Sequence, residues 1–385
     1  MNTTWEIVKL DRFFVIKKGQ TITKKDSNPG IYPVILGGRE PAYYIDKYNH
    51  TGKAIVVSRS GASAGYVSFW NEPIFVTDGF LIEPKDDVNY EFVYYLLKLK
   101  QSQLLGSQRG AAIPHVTPNL LYNVQAFFPP LPTQKQIASI LSAYDNLIEN
   151  NNKRIKILEQ MAENLYKEWF VRFRFPGHET TPSENGIPKG WRVEKVANYA
   201  KIKSGYAFKS EWWQNNGFPV IKIKDIDNGS IDIANLDCVS EEHANKAKSF
   251  LLSEGDLVIA MTGATIGKIG LVPKIDNLYT NQRVGKFFLG KNPFEKMPIL
   301  YCLFSQPTTI ELILGLSGAS SAQPNISPDQ LGRIEFFYEE KIVKEFNRIN
   351  TPIFKEILKL REHNLSLIKQ RDLLLPRLMS GKLAV

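Results

Sequence analysis

Two long stretches of the chain repeat apolar residues at alternating spacings of three and four, the pattern of a coiled-coil helix. The first stretch follows Pro132, and Thr133 and Gln136 have the spacing of a capping box there. We therefore expect the first helix to start at Thr133. Its predicted core positions are Leu141, Tyr144, Ile148, Asn151, Ile155, Leu158, Ala162, Leu165 and Trp169.

The second stretch is weaker, because polar residues interrupt it. Pro352 lies inside it, where it either kinks the helix or opens a new one with Thr351 as the N-cap. Its predicted core positions are Thr351, Phe354, Leu358, Arg361, Leu365, Ile368, Asp372, Leu375 and Met379.

The segment before each helix has a different pattern. Short β-branched and aromatic runs, such as residues 54–58, 66–70 and 257–260, alternate with Gly, Pro and Asn. This alternation is typical of strands and turns. We call each such segment a head, and we predict an α+β fold in which two tandem mixed α/β heads are separated by two long antiparallel coiled-coil helices.

The chain consists almost entirely of two copies of one unit, each of about 190 residues. Matching segments keep their order in both copies, which chance does not produce. We also match Thr77 with Thr280 and Tyr95 with Tyr301. The duplication predicts a pseudo-twofold axis between the copies. The matched segments are 5–10 with 191–196, 16–19 with 202–205 (including Gly19 with Gly205), 33–35 with 219–221, 54–65 with 256–267, 114–118 with 324–328, and 126–128 with 336–338.

Residues 173–190 contain Pro and Gly at short intervals and have no helical period, so we predict a linker there. The chain then divides into a first head, a first helix, the linker, a second head and a second helix. The predicted boundaries are 1–132, 133–172, 173–190, 191–338 and 339–385.

Composition narrows the class of protein. The chain has 385 residues and two cysteines, Cys238 and Cys302, whose separation fits neither a disulfide framework nor a zinc site. We expect a reducing, cytoplasmic location, because no signal peptide and no run of 18 apolar residues occurs. The net charge of +9 permits a polyanionic partner, but residues 181–340 are almost neutral. A nucleic-acid function must therefore depend on local clusters.

Candidate catalytic motifs fail on their own chemistry. The segment 61–65 fits the G-x-S-x-G pattern, but the second copy has Thr265 at the serine position, which favours a turn between two strands. The segment 263–269 is too short for a P-loop and has Ile269 where Ser or Thr is required. Asp329 is expected to cap a helix instead of binding a metal. We predict no catalytic residue and no metal site.

Two copies that each end in a long helix can bury both apolar seams by antiparallel packing. A helix of about 37 residues spans about 55 Å, which would hold the heads a fixed distance apart. Heads so spaced could contact two segments of DNA, whose helical repeat is ~34 to 36 Å. Two alternatives remain open: the helices form only a dimer-like core, or the protein is a coiled-coil scaffold that joins two protein ligands.

Five segments, in this order, resemble the specificity subunit of type I restriction-modification systems. The resemblance covers nearly the whole chain and implies two target-recognition domains, each followed by a conserved spacer helix. A specificity chain for a combined restriction-methylation enzyme of another type is the related alternative. The segments are Val57–Gly65 with Thr77–Phe80, Pro130–Ala138, Leu165–Phe170 and Leu374–Lys382.

The resemblance implies a non-catalytic subunit that binds double-stranded DNA, two modification subunits and two restriction subunits. S-adenosylmethionine, ATP and Mg²⁺ would be used by those partners. Each head would recognise one half of a split target, and the helices would act as the spacer and as the docking site for the modification subunits.

Within that framework we expect Lys and Arg to contact phosphates, and loop Arg, Lys, Asn, Gln, Ser and Thr to contact bases. An ordinary solvated face is the alternative for the lysines. The candidates in the first head are Lys17, Lys18, Lys24, Lys25, Arg59, Ser60, Gln108 and Arg109. Those in the second head are Lys201, Lys203, Tyr206, Lys209, Thr262, Gln282, Arg283, Ser320, Ser321 and Gln323.

The end of the first helix carries more aromatic surface than one seam can bury, which predicts a docking patch for modification subunits. Packing against the linker is the alternative. The residues of this patch are Leu165, Tyr166, Trp169 and Phe170.

Overall fold

The computed structural model describes residues 5–23, 25, 27–106, 115–318 and 324–385. The chain forms two compact units, one from residues 1–149 with 365–385 and the other from residues 150–364. Each long helix contributes one segment to each unit. Some predicted DNA-contacting residues lie outside the described residues, namely Lys24, Gln108, Arg109, Ser320, Ser321 and Gln323.

The first head contains nine described strands and two described helices. The strands are β1 (Glu6–Lys9), β2 (Phe14–Lys18), β3 (Pro29–Ile35), β4 (Tyr43–Ile45), β5 (Lys53–Ser58), β6 (Val67–Asn71), β7 (Phe75–Val76), β8 (Gly79–Pro84) and β9 (Gln125–Phe128). The helices are α1 (Tyr90–Gly106) and α2 (Pro118–Tyr122). A four-stranded antiparallel sheet has the order β2-β8-β5-β6, a three-stranded sheet has the order β4-β3-β7, and β1 pairs with β9.

Strand β5 is buried on both faces, which explains its continuous apolar sequence. Ile55 and Val57 belong to the main core cluster, whereas Ala54 and Val56 belong to a smaller cluster on the other face. The turn between β5 and β6 contains Gly61, whose φ is +82°. The G-x-S-x-G segment is therefore a turn between two strands, as predicted.

Helix α3 spans Leu131–Tyr166 and continues into a π-helical segment, Lys167–Val171. It begins two residues before Thr133, so the predicted capping box is wrong. Pro132 fits the first turn because its missing N–H has no partner there, and the Gln134 amide donates to the Pro129 carbonyl oxygen at 2.9 Å. The predicted seam is confirmed, because none of its positions is exposed. Tyr144, Ile148, Leu158 and Leu165 are half-buried, and the others are buried, namely Leu141, Asn151, Ile155, Ala162 and Trp169.

The linker contains a short hairpin, β10 (Ser183–Glu184) with β11 (Ile187–Pro188). Asn185 and Gly186 form its turn, and both have positive φ, at +53° and +80°. Asn-Gly is the favoured sequence for such a two-residue turn.

The second head repeats the first. Its strands are β12 (Arg192–Lys195), β13 (Lys201–Ser204), β14 (Phe218–Ile221), β15 (Ile226–Asp227), β16 (Ser230–Ile231), β17 (Asp237–Val239), β18 (Leu257–Ala260), β19 (Ile269–Leu271), β20 (Tyr279–Thr280), β21 (Val284–Phe288) and β22 (Glu335–Tyr338). Its helices are α4 (Val196–Tyr199), α5 (Glu241–Lys246), α6 (Met297–Ser305), α7 (Pro307–Leu316) and α8 (Pro328–Gly332).

The sheet orders β13-β21-β18-β19, β17-β14-β20 and β12-β22 match those of the first head, which confirms the internal repeat. Strand pairing corrects one match. Ile35 pairs with Val76, and Ile221 pairs with Thr280, so Thr280 corresponds to Val76 and not to Thr77. The reason is that residues 281–283 connect β20 to β21, whereas only residues 77–78 connect β7 to β8.

The segments 114–118 and 324–328 match because both lead into a short capped helix. Thr117 accepts a hydrogen bond from the Leu120 N–H at 3.3 Å, and Ser327 accepts one from the Gln330 N–H at 3.2 Å. A proline follows each cap at the first helical position, where it is favoured. Ser327 is therefore the cap, and the expectation that Asp329 caps this helix is wrong.

Helix α9 spans Glu340–Met379 without a break at Pro352, so Thr351 is not an N-cap. Phe354, Leu358, Leu375 and Met379 are buried as predicted. Two other predicted core positions are wrong: Leu365 is 41% exposed and Asp372 is exposed, whereas Thr351, Arg361 and Ile368 are half-buried. Asn364 and Arg371, the residues that precede the two exposed positions, face inwards instead.

Hydrogen bonds explain why polar residues occupy these inward positions. Asn151 donates to the Asn364 side chain at 2.8 Å, and Asn364 donates to Asn152 at 2.8 Å. Within the second unit, Asn151 of α3 contacts Asn364 of α9, and Tyr166 of α3 contacts Phe346 of α9, with ring centres 6.1 Å apart. The later residue of α3 therefore contacts the earlier residue of α9, so the two helices pack antiparallel there.

No single helix among the described residues is long and apolar enough to cross a membrane. The bent pair of α6 and α7 reaches that length and composition only together, with an angle of 75° between the two helices. Most of α6 is buried in the core of the second unit, where Leu300 and Phe304 are among the least exposed residues.

Candidate nucleic-acid interface

In the first head, β2 and β5 end where β8 begins. The Gly19 N–H donates to the Gly79 carbonyl oxygen at 3.0 Å, and the Arg59 N–H donates to the Asp78 carbonyl oxygen at 3.2 Å. These bonds bring the predicted residues Lys18, Arg59 and Ser60 to one edge of the sheet. We call this edge the first junction; it comprises residues 18–20, 58–61 and 77–79.

A carboxylate organises the first junction. The Arg59 Nε atom lies 2.7 Å from Asp78 Oδ1, and the Arg59 side chain is 40% exposed. The Ser60 hydroxyl donates to the other oxygen of the same carboxylate. The ion pair therefore holds the Arg59 side chain beside Asp78 while part of it still reaches solvent, which suits contact with a base edge or a phosphate.

The second head has the same backbone arrangement. The Gly205 N–H donates to the Val284 carbonyl oxygen at 2.9 Å, and the Met261 N–H donates to the Arg283 carbonyl oxygen at 3.0 Å. The second junction comprises residues 204–206, 260–263 and 280–284. Gln282 and Arg283 are exposed in its turn, and the Thr262 hydroxyl is buried without a hydrogen-bond partner among the described residues.

The two junctions differ in their side chains. The bond from Arg59 to Asp78 in the first head corresponds to the bond from Met261 to Arg283 in the second. An arginine is thus present at both junctions, but on opposite strands, and among the described residues only Arg59 is paired with an acid. The same backbone presents different donors, as recognition of two different sequences requires.

Each junction is joined to the start of the capped helix beyond it. Ser60 forms an isolated bridge with His115, and Thr262 forms the equivalent bridge with Asn325. The predicted loop residues Gln108, Arg109, Ser320, Ser321 and Gln323 precede these bridges in the sequence, outside the described residues.

The remaining candidates are dispersed along the heads. Lys17 is paired with Glu83 at 2.7 Å, and Lys25 and Lys201 are exposed. A final group of lysines lies against aromatic rings of the second head. Lys203 is 5.3 Å from the Phe288 ring centre and Lys209 is 5.5 Å from that of Trp212, which itself stacks with Tyr206.

Sequence reasoning missed several polar groups. Asp78 lies in Thr77–Phe80, one of the segments that carry the family resemblance. The sequence nevertheless did not predict that the Asp78 carboxylate pairs with Arg59. In the second head Lys222 lies 3.4 Å from the Trp213 ring centre. Lys222 and Lys224 both bind the Asp237 carboxylate at 2.9 Å, and their hydrogen bonds lower its pKa. No spacing rule links residues so distant in sequence.

The aromatic patch at the end of α3 is not surplus surface, so the premise of the docking prediction is wrong. Tyr166, Trp169 and Phe170 are each 5% exposed or less. All three rings pack on Phe346 of α9, and Phe170 also contacts Trp191, with ring centres 5.6 Å apart. Leu165 is partly buried against the same core.

The fold and the two junctions define a binding protein made of two copies of one recognition unit. The chain belongs to the family of type I restriction-modification DNA specificity subunits, because the pattern of the type I restriction modification DNA specificity domain matches residues 2–160 and 188–337. Specificity subunits are non-catalytic, and catalysis resides in the partner subunits of the restriction-modification complex.

Relatives support this assignment over most of the chain. The type I restriction enzyme MjaVIII specificity subunit of Methanocaldococcus jannaschii is 32% identical over 340 residues, which cover 84% of this chain and 79% of that protein. The HindI specificity subunit of Haemophilus influenzae is 22% identical, with 79% of this chain and 80% of that protein covered.

A solved structure supports the fold. The crystal structure of a type I restriction-modification S subunit from M. genitalium superposes with a TM-score of 0.61, at 20% identity, and covers 98% of this chain and 96% of that chain.

Proposed function

We propose that each head recognises one half of a split double-stranded DNA target through its junction. The observation that carries this proposal is the pair of junctions, which share backbone hydrogen bonds but differ in side chains at Arg59, Asp78, Met261 and Arg283. A guanidinium is the commonest group that recognises guanine in the major groove.

The long helices would serve as the spacer between the half-targets and as the docking site for two modification subunits. Two restriction subunits would complete the complex, and the partners would use S-adenosylmethionine, ATP and Mg²⁺. The family assignment supports these roles, and the protein would act in the cytoplasm. Since the aromatic end of α3 is buried, the docking surface would lie on other residues of the helices.

Mapping of methylated adenines across the genome, with and without the gene, tests the proposal. We expect deletion to abolish methylation at one bipartite motif, and a plasmid copy of the gene to restore it. Persistence of every methylated motif after deletion would contradict the proposed function.

Arg59→Ala should weaken binding of the assembled complex to its target by about 1 to 3 kcal/mol, since it removes a base contact or a phosphate contact. The sequence preference of the variant complex distinguishes a base contact from a phosphate contact. Loss of preference at a single base in one half-target indicates base recognition, whereas a uniform loss with a smaller salt dependence indicates a phosphate contact. Lys53→Ala is the matched control, because Lys53 belongs to the same head and is also paired with an acid, Glu91, but is neither part of the first junction nor a predicted DNA-contacting residue. Equal affinity of Arg59→Ala and the wild type would remove Arg59 from the interface.

A further inference from the structure

In the first unit, one carboxylate connects the head to both long helices. The Tyr95 hydroxyl on α1 donates to Asp145 Oδ2 on α3 at 2.6 Å. The Arg371 guanidinium on α9 donates to the other oxygen of Asp145. The Tyr95 residue is 3% exposed and the Arg371 side chain 19% exposed, so these bonds are largely shielded from water.

The second unit contains the same three kinds of side chain. The Tyr301 hydroxyl on α6 donates to Glu159 Oε1 on α3 at 3.1 Å, and Arg361 on α9 donates to the same oxygen at 2.8 Å. Arg361 also donates to the Gly229 carbonyl oxygen at 2.7 Å, in the turn between β15 and β16. Gly229 has a φ of +83°, and a Cβ atom there would lie 2.0 Å from the Tyr301 hydroxyl.

Duplication alone does not explain the second cluster. Tyr95 and Tyr301 are equivalent positions, but the repeat places the equivalents of α3 residues on α9. A copied cluster would therefore have its acid on α9 and its arginine on α3. Both clusters instead take the acid from α3 and the arginine from α9. Each head is therefore joined to both helices by a tyrosine, an acid and an arginine, but the acids and the arginines of the two clusters are not equivalent in the repeat. The recurrence of this arrangement indicates that the protein requires a polar link between each head and the helices.

A hydrogen-bonded link of this kind restricts the orientation of a head on the helices more strongly than apolar packing does. A hydrogen bond to a carboxylate is directional and strengthened by charge, and it weakens steeply when its angle changes. Apolar contacts tolerate small rotations, because their energy depends chiefly on the buried area. A buried tyrosine hydroxyl bound to a shared acid therefore restricts rotation of its head on the helix pair.

We propose that Tyr95 and Tyr301 are positioning residues that fix the orientation of each head on the helices and thereby set the number of unrecognised base pairs between the half-targets. This inference rests on the proposed function. One base-pair step is about 3.4 Å, so a small rotation of a head is enough to shift the half-target by one step.

The test compares Tyr95→Phe and Tyr301→Phe with the wild type in the full complex. Tyr90→Phe is the matched control, because Tyr90 also lies on α1 and its hydroxyl donates to the Lys53 carbonyl oxygen at 2.9 Å instead of to Asp145. Genomic methylation is measured at the wild-type motif and at motifs whose spacer is one base pair longer or shorter. The ratio of altered-spacer to wild-type-spacer methylation should rise about tenfold in both variants, as expected for loss of a hydrogen bond to a charged group.

Both half-target sequences should stay unchanged, and Tyr90→Phe should keep the wild-type ratio. A purely structural role would lower methylation evenly at all spacers and leave the ratio constant, which would overturn the inference. A wild-type ratio in both variants would overturn it as well. If deletion of the gene removes no bipartite motif, the proposed function fails instead, so the two failures are distinguishable.

Discussion

Gly205→Ala is expected to lower the free energy of unfolding of the second unit by about 3 kcal/mol. A Cβ atom at this position would lie 2.4 Å from the Asn281 carbonyl oxygen and 2.5 Å from the Thr280 carbonyl oxygen. Both are backbone atoms, and the Thr280 oxygen already accepts a hydrogen bond from the Tyr206 N–H at 3.0 Å. The strands must therefore separate, since no flexible side chain can move aside.

Denaturant unfolding of the full chain measures this effect, with Gly315→Ala as the matched control. Gly315 lies within helix α7 with open space around its Cβ position, so alanine there should be neutral or stabilise by about 0.5 to 1 kcal/mol. Gly19→Ala should act in the first unit as Gly205→Ala does in the second, because its Cβ would lie 2.3 Å from the Thr77 carbonyl oxygen. Equal stability of Gly205→Ala and Gly315→Ala would contradict the close approach of these strands.

The duplication was predictable from sequence, and with it the two heads, the turn glycines and the first seam. Gly19 and Gly205 recur at one position of the repeat, and the structure supplies the reason: two strands approach too closely for a side chain. The seam of α3 was predictable because its inward positions are mostly apolar, with Asn151 as a polar exception.

The second seam was shifted where polar residues face inwards. Sequence periodicity assigns Leu365 and Asp372 to the core, but Asn364 and Arg371 are the inward residues, because they find partners in Asn151 and Asp145. Pairing of this kind depends on the facing helix, which local spacing does not specify. The prediction that Trp169 and Phe170 form an exposed docking patch failed for the same reason. Phe346, which is distant in the sequence, packs against both rings.

The junctions were predictable only in part. Arg59 and Arg283 were identified as exposed basic residues next to turns. The correspondence of Arg283 with Asp78 was not identified, because the second head has one more residue between β20 and β21 than the first has between β7 and β8. Asp78 was not selected, since nothing in the local sequence shows that its carboxylate holds the Arg59 side chain.

Exchange of a whole head should change the target more than any single substitution. In the variant, residues 192–338 of the second head are replaced by residues 6–128 of the first, so that β1 and β9 take the places of β12 and β22. The helices and the linker stay unchanged. If each head recognises its half-target independently, both halves of the new target should carry the first half-target sequence.

The pseudo-twofold relation expected from the duplication adds a stricter requirement. Two identical heads related by such an axis recognise the same sequence on opposite strands. The asymmetric target should therefore become an inverted repeat with an unchanged spacer. Co-purification of the variant with its modification subunits provides the folding control.

Adenine methylation in cells that carry only this exchanged chain is the most direct test of the account. The account predicts one new symmetric motif, built twice from the first half-target, and loss of the original motif. Continued methylation of a motif that contains the second half-target would contradict it, because residues outside the second head would then be recognising that sequence.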